Sequence, residues 1–240
     1  MTQASAIIPV RELKSTKNRL KTTLPESGRA LLTTALLENL VSRLETSVIQ
    51  RIIIVASNPK EVQQCSDYSK KLSIISESRK HGGVNSAMTD GIERLTEEGV
   101  HGPLLLLPTD LPLITSDVLN RSVQFLRDES YEMVINGSER RDGTNLLGFA
   151  DSRSIPIKLS YDENSFNAHV EEAHAAGLRL VETDLPEISF DVDSPDDYIR
   201  LLAHFRVPGL QELVEALSPL APKATENFAR QFPQRAQRQV

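Results

Sequence analysis

Asp110 closes the run Leu104-Leu105-Leu106-Leu107-Pro108-Thr109-Asp110-Leu111-Pro112-Leu113. Four consecutive leucines read as a strand buried on both faces, the kind found in parallel sheets. Such sheets bind ligands beyond the carboxyl ends of their strands, which is where Asp110 stands. A carboxylate there suits a hard cation such as Mg2+, which favours a few carboxylates together with substrate phosphates. The plainer reading is a turn aspartate capping the next helix, with Pro108 and Pro112 supplying turn chemistry.

Four further stretches carry possible chemistry. Pro9-Val10-Arg11-Glu12-Leu13-Lys14-Ser15-Thr16-Lys17-Asn18-Arg19-Leu20 places four cations just beyond a first strand. Clustered cations there suit a polyphosphate, or else form a solvated basic loop. No Gly-x-x-x-x-Gly-Lys is present, so this is not a Walker loop. His81-Gly82-Gly83-Val84-Asn85-Ser86-Ala87 runs into a helix. Its glycines admit close backbone approach, and Asn85 offers a donor beside an acceptor, as a base edge requires. The plainer reading is a glycine turn capped by Asn85. Arg141-Asp142-Gly143-Thr144-Asn145 has a hydroxyl for a phosphate, but Asp-Gly is also a hairpin signal, and taken alone that reading is the better one. In Asp191-Val192-Asp193-Ser194-Pro195-Asp196-Asp197, Asp191 and Asp193 alternate by two. In an extended segment they share a side, and with Asp110 they could hold Mg2+. Ser194 reads as a cap with Pro195 at the first helical position; Asp196 and Asp197 suit the helix dipole. No histidine pair has the zinc-site form His-Glu-x-x-His. Cationic loop, glycine-asparagine turn and carboxylates together point to nucleoside-triphosphate chemistry with Mg2+, which rests on positioning and charge neutralisation.

The elements that must position these residues alternate. Strands are expected at Ala4–Val10, Arg51–Ala56, Leu72–Ser76, Leu104–Leu107, Tyr131–Asn136, Asn145–Ala150, Leu178–Thr183 and Ile188–Phe190. Helices are expected at Ser27–Leu44, Glu61–Tyr68, Gly83–Glu98, Ser116–Asp128, Asn164–Ala176 (closed by Gly177) and Pro195–Phe205. This alternation predicts right-handed βαβ units and a three-layer, Rossmann-like α/β fold with a mostly parallel central sheet. Residues 1–207 are expected to form one domain, and 208–240 a short helix at Gln211–Leu217 followed by a polar tail from Pro219, read as mobile or docking.

Composition narrows the class. The 240 residues are 39% hydrophobic and 25% charged, ordinary for a globular protein. A net charge of −6 argues against general nucleic-acid binding. Cys65 is the one cysteine, so no intrachain disulfide forms and a cytoplasmic setting fits. No apolar run approaches the length of a membrane span, and Met1–Val10 lacks the pattern of a signal peptide.

The chain resembles the 2-phospho-L-lactate guanylyltransferases, which make a guanylylated intermediate for the deazaflavin coenzyme. The resemblance is carried by Pro9-Val10-Arg11 with Lys17-Asn18-Arg19-Leu20, Gly82-Gly83-Val84-Asn85-Ser86-Ala87 and Leu107-Pro108-Thr109-Asp110-Leu111-Pro112. It continues through Arg141-Asp142-Gly143-Thr144-Asn145, Asn164-Ser165-Phe166 with His169, and Asp191-Val192-Asp193, spanning Ala4 to Phe205. It implies a nucleotidyltransferase fold, Mg2+ on Asp110, Asp191 and Asp193, and Lys17 and Arg19 facing the triphosphate. It also implies a nucleotide site at Pro9, Val10, Arg11, Gly82, Gly83, Asn85, Ser86 and Asp110, and an acceptor site at Thr144, Asn145 and Ser165. Two residues depart from the pattern: Asp162 stands where a glycine is usual, and Arg11 where a lysine is common. The implied reaction moves GMP from GTP to a small phosphorylated three-carbon acid, 2-phospho-L-lactate by preference and phosphoenolpyruvate next. The implied partners are these two substrates, with no nucleic acid or membrane; a homodimer is allowed. The alternatives are a molybdopterin-type nucleotidyltransferase, which would carry a glycine-rich signature after strand one, and a non-catalytic nucleotide-binding module, which would not need three carboxylates.

Overall fold

The computed structural model describes residues 2–79 and 82–203. The expected helix at Gln211–Leu217, the tail and His81 lie outside the described residues. Seven strands form one sheet: β1 (Ser5–Val10), β2 (Arg51–Ala56), β3 (Leu72–Ser76), β4 (Leu104–Leu106), β5 (Met133–Gly137), β6 (Thr144–Phe149) and β7 (Leu180–Thr183). Their order is β3-β2-β1-β4-β6-β5-β7. The pairs β1–β2, β2–β3, β1–β4 and β5–β7 are parallel, whereas β6 runs antiparallel to both β4 and β5. The expectation of a mostly parallel sheet is met.

The single reversed strand matters for function. β5 and β6 are joined by the loop at residues 138–143, which holds the Asp142-Gly143 pair, so the hairpin signal is real. Because β6 descends where β1, β4 and β5 ascend, its first residue, Thr144, lies at the edge where those strands end. Chain reversal at β1 also makes β1/β4 the switch point of the sheet, where α/β folds open a crevice.

Helices α1 (Glu26–Glu45), α2 (Gly83–Glu97), α3 (Ser116–Arg127), α4 (Ser165–Ala175), α5 (Pro186–Ser189) and α6 (Pro195–Ala203) complete the described fold. Central strand residues alternate between two cores. Ile8, Ile54 and Leu105 pack with Leu37, Leu40, Val118 and Leu119 of α1 and α3; Ile7, Ile53 and Leu106 pack with Met88 and Phe166 of α2 and α4. Strands buried on both faces explain the uninterrupted Ile and Leu runs. A third cluster joins α1 and α6 through Leu32, Leu36, Tyr198 and Leu201, with Phe190 and Val192 between them. Gly137 lets α4 settle on β5: a Cβ there would stand 2.7 Å from the Phe166 ring.

Two expectations are corrected. Ile188–Phe190 is not a strand; Pro186–Ser189 forms one helical turn, α5, with Pro186 at its start and Leu185 and Ile188 buried at a spacing of three. The segment expected as a helix at Glu61–Tyr68 is a 3-10 helix over Pro59–Asp67.

Candidate active site

A cleft of about 820 Å3 opens over the carboxyl ends of β1 and β4. Its floor is acidic. Asp110 follows β4, and Asp191 and Asp193 follow α5. One carboxylate oxygen from each of the three lies within 4.8 Å of the others. The local cause is the alternation expected of an extended segment: Phe190 and Val192 are buried in the core, so Asp191 and Asp193 face the cleft. The Val192 N–H donates to the Asp110 carbonyl at 3.2 Å, which ties the two segments together.

Lys17 enters this cluster directly. Its Nζ donates to Asp110 Oδ2 at 2.7 Å and to Asp193 Oδ1 at 2.9 Å, and its side chain is 6% exposed. The backbone at Lys17 is left-handed, with φ at 52°, and caps a 3-10 turn over Asn18–Leu20 whose Leu20 is buried. Thr16 anchors the loop to α1 through Thr33 Oγ1, and Arg29 donates to the Thr16 carbonyl. Burial works against the Lys17 charge, but the attraction of Asp110 and Asp193, with a hydrogen bond to each, outweighs it and raises the pKa. Burial likewise pushes Asp193 upward, and Lys17, Arg19 and Arg140 pull it below the usual carboxylate range. Arg19 is largely exposed, with its Nη1 3.9 Å from Asp193.

Asp191 is different. It has no hydrogen bond or ion pair among the described residues. Burial, then the neighbouring charges of Asp110 and Asp193, push its pKa up to about 7 despite the nearby Lys17. Three hard oxygen donors converging on one point, one of them without a cation of its own, fit Mg2+.

The opposite wall holds Thr144, Asn145 and Ser165 together with residues 161–164. Ser165 Oγ accepts the Thr144 N–H at 3.0 Å, joining the start of β6 to the start of α4. Thr144 Oγ1 lies 3.0 Å from His169 Nδ1, one turn along α4. His169 is fully buried, and burial pushes its pKa down to about 4. It is the residue that reading by sequence left without a role. The available signal was its place on the same helical face as Ser165. The Asn145 amide donates to the Ile188 and Ser189 carbonyls, so its side chain holds α5 in place at the rim of the cleft.

The expected nucleotide residues divide. Pro9 and Arg11 line the cleft, as do Val84 and Met88 of α2. Val10 turns into the core and its carbonyl accepts the Ser57 N–H. Gly83 has φ at +78°, a conformation glycine adopts freely, and a Cβ there would lie 3.8 Å from Arg11 Nη2. Gly82, Asn85 and Ser86 line a neighbouring cavity of about 590 Å3 between α2 and the 155–159 segment. Asn85 Oδ1 accepts the Tyr161 N–H at 2.7 Å, so its acceptor is already committed to the loop that leads to Ser165.

A crevice at the sheet switch point, with converging carboxylates and a lysine on one side and two hydroxyls on the other, defines a nucleotidyltransferase-type fold and site. The fold agrees with a solved structure from Desulfovibrio desulfuricans G20 assigned to the nucleotide-diphospho-sugar transferases, which superimposes with a TM-score of 0.75 at 14% identity over 95% of this chain and 99% of that one. Residues 4–217 match the family described as guanylyl transferase CofC like, and the chain belongs to that family. Among its relatives are a phosphoenolpyruvate guanylyltransferase from Rubrobacter xylanophilus, 34% identical over 82% of this chain and 93% of the relative, and a 2-phospho-L-lactate guanylyltransferase from Methanocaldococcus fervens, 31% identical over 82% and 84%. A 3-phospho-D-glycerate guanylyltransferase from Phenylobacterium zucineum is 27% identical over 90% and 96%. No described helix is long and apolar enough to cross a membrane.

Proposed function

We propose that this protein transfers GMP from GTP to the phosphate of a small phosphorylated three-carbon acid and releases pyrophosphate, a step that serves deazaflavin coenzyme assembly. The observation that carries this reading is the single cleft with Asp110, Asp191, Asp193 and Lys17 on its floor and Thr144 and Ser165 on its wall. A phosphate oxygen of the acceptor attacks the α-phosphorus of GTP; the bond from that phosphorus to the α–β bridging oxygen breaks, and pyrophosphate leaves. No covalent bond to the protein is needed.

Asp110, Asp191 and Asp193 would hold Mg2+. Bound there, it supplies charge neutralisation and Lewis-acid polarisation of phosphoryl oxygens. The chain's own residues do the rest. Arg11 and Arg19, both exposed at the cleft mouth, suit the triphosphate. Lys17 holds Asp110 and Asp193 in register. The Thr144 and Ser165 hydroxyls suit an oxyanion of the acceptor. The acid is one of phosphoenolpyruvate, 2-phospho-L-lactate or 3-phospho-D-glycerate, the acceptors named for the relatives.

Purified protein incubated with GTP, Mg2+ and each acid in turn tests the reading. Pyrophosphate should appear with one acid and not without it. Its absence with all three would overturn the proposal and favour a nucleotide-binding role without turnover.

A further inference from the structure

Three hydrogen bonds at the acceptor wall determine where the protons lie. The Ser160 N–H is 2.9 Å from His169 Nε2. An amide N–H only donates, so Nε2 accepts and carries no proton. A neutral imidazole has one proton, which is therefore on Nδ1. Burial keeps the ring neutral, so no second proton is available. Nδ1–H then donates to Thr144 Oγ1, 3.0 Å away. Ser165 Oγ is filled in the same sense by the Thr144 N–H. Both hydroxyl oxygens thus accept from the protein, and neither hydroxyl hydrogen has an acceptor among the described residues. Both residues line the cleft.

We infer that His169 is a positioning residue that fixes the Thr144 hydroxyl as a donor into the cleft, so that Thr144 and Ser165 present two O–H donors to one oxyanion of the acceptor. This rests on the proposed function only for the identity of that oxyanion. Two O–H donors converging on one point suit an anionic oxygen, which accepts both in charge-assisted hydrogen bonds. His169 also holds the loop that completes the seat. Its Nε2 takes the Ser160 N–H while Asn85 Oδ1 takes the next amide, that of Tyr161. The Tyr161 ring closes edge-on over the imidazole at 5.0 Å between centroids.

Two substitutions separate the two nitrogens. His169→Asn keeps an N–H donor near the Nδ1 position and loses the acceptor for Ser160. His169→Gln keeps an acceptor near the Nε2 position and loses the donor to Thr144. The experiment joins 15N NMR of the histidine side chains in the full chain, without substrate, to steady-state kinetics of both variants. At neutral pH, one histidine, absent from both variants, should be protonated on Nδ1 with a bare Nε2. His169→Gln should raise the acceptor KM about tenfold and leave the GTP KM unchanged, whereas His169→Asn should stay within about threefold. A wild-type His169 protonated on Nε2 overturns the inference. So does a His169→Gln variant with an unchanged acceptor KM, or equal losses for both substrates in both variants. The tautomer is read on wild-type protein and needs neither a folded variant nor turnover. If no acid is guanylylated, the functional reading fails and the tautomer still decides this one.

Discussion

Lys17 Nζ lies 2.7 Å from Asp110 Oδ2, joining the loop after the first strand to the loop after the fourth across 93 residues of sequence. The same ammonium reaches Asp193 at 2.9 Å. Lys17 therefore neutralises the carboxylates rather than standing apart from them. A divalent cation entering the cluster would share those carboxylates with the lysine or displace it.

That relationship predicts opposite effects on the empty and the metal-loaded protein. Lys17→Met leaves three converging carboxylates without their nearest cation, which should cost about 2 kcal/mol for this partly solvated cluster. Tm in EDTA should fall by about 4–8 °C for a chain of this size. Excess Mg2+ should raise Tm more in the variant than in wild type, because the cation no longer competes with an ammonium. Melting curves with and without Mg2+ check this; an equal Mg2+ shift in both proteins would show that Lys17 and the metal do not share ligands.

Asp110→Asn and Asp193→Asn each keep the side-chain shape and remove a charge from the proposed metal site. Turnover should drop about 100-fold or more in either variant, since a metal ligand in such a site supplies several kcal/mol. Pyrophosphate release at saturating GTP measures it. Near-wild-type rates would remove Mg2+ from these residues.

Asn85 separates base reading from loop anchoring. Its acceptor is occupied by the Tyr161 N–H, so Asn85→Ala should loosen the segment before Ser165. The acceptor KM should rise by about fivefold, and the preference for GTP over ATP should persist, as one lost hydrogen bond is worth about 1 kcal/mol. A collapse of that preference with an unchanged acceptor KM would return Asn85 to the guanine site.

His169 predicts a pH effect on stability. Its folded pKa is about 4, set by burial, against about 6.5 in an unfolded chain. Between these values the unfolded chain binds more protons than the folded one, so stability is full above pH 6.5 and falls as pH drops toward 4. Among the described residues, the titratable group set against the ring is Tyr161, itself held neutral by burial. The loss at pH 4.5 should be about 2–3 kcal/mol, and His169→Gln should lack that share. Urea melts of both proteins at pH 7.5 and 4.5 give the difference. Parallel pH profiles would mean that His169 is protonated in the folded state.

Much of this was legible in residues that answer to local rules. Arg51–Ala56 and Leu72–Ser76 are strands with the expected bounds because β-branched runs between turn residues have few alternatives. Asp191 and Asp193 share a side because Val192 between them had to be buried. Ile188–Phe190 departs from the expected strand because three residues are too few to carry a period, and Pro186 in front of them favours a helical turn. The Lys17 bridge could not be read, since its partners are 93 and 176 residues away and meet only through the sheet order. The antiparallel course of β6 was hinted at by Asp142-Gly143, but that Thr144 arrives beside the carboxylates follows from the sheet order and not from the turn.

Asp162 stands three positions before Ser165, where the resemblance implies a glycine. It lines the cleft beside the proposed acceptor seat, is exposed, and makes no hydrogen bond or ion pair with any described residue. A carboxylate about 5 Å from a bound oxyanion would cost on the order of 1 kcal/mol in water-like surroundings. Exposure argues for the low end: the side chain can turn outward, where solvent and salt screen it. Asp162→Gly should therefore change the acceptor KM by less than about threefold, with the GTP KM unchanged. Raising the salt concentration should narrow even that difference. A tenfold or greater fall in the acceptor KM would show instead that Asp162 presses on the bound acid, and a matching screen of acids with fewer negative charges would then find a better substrate than the three named for the relatives.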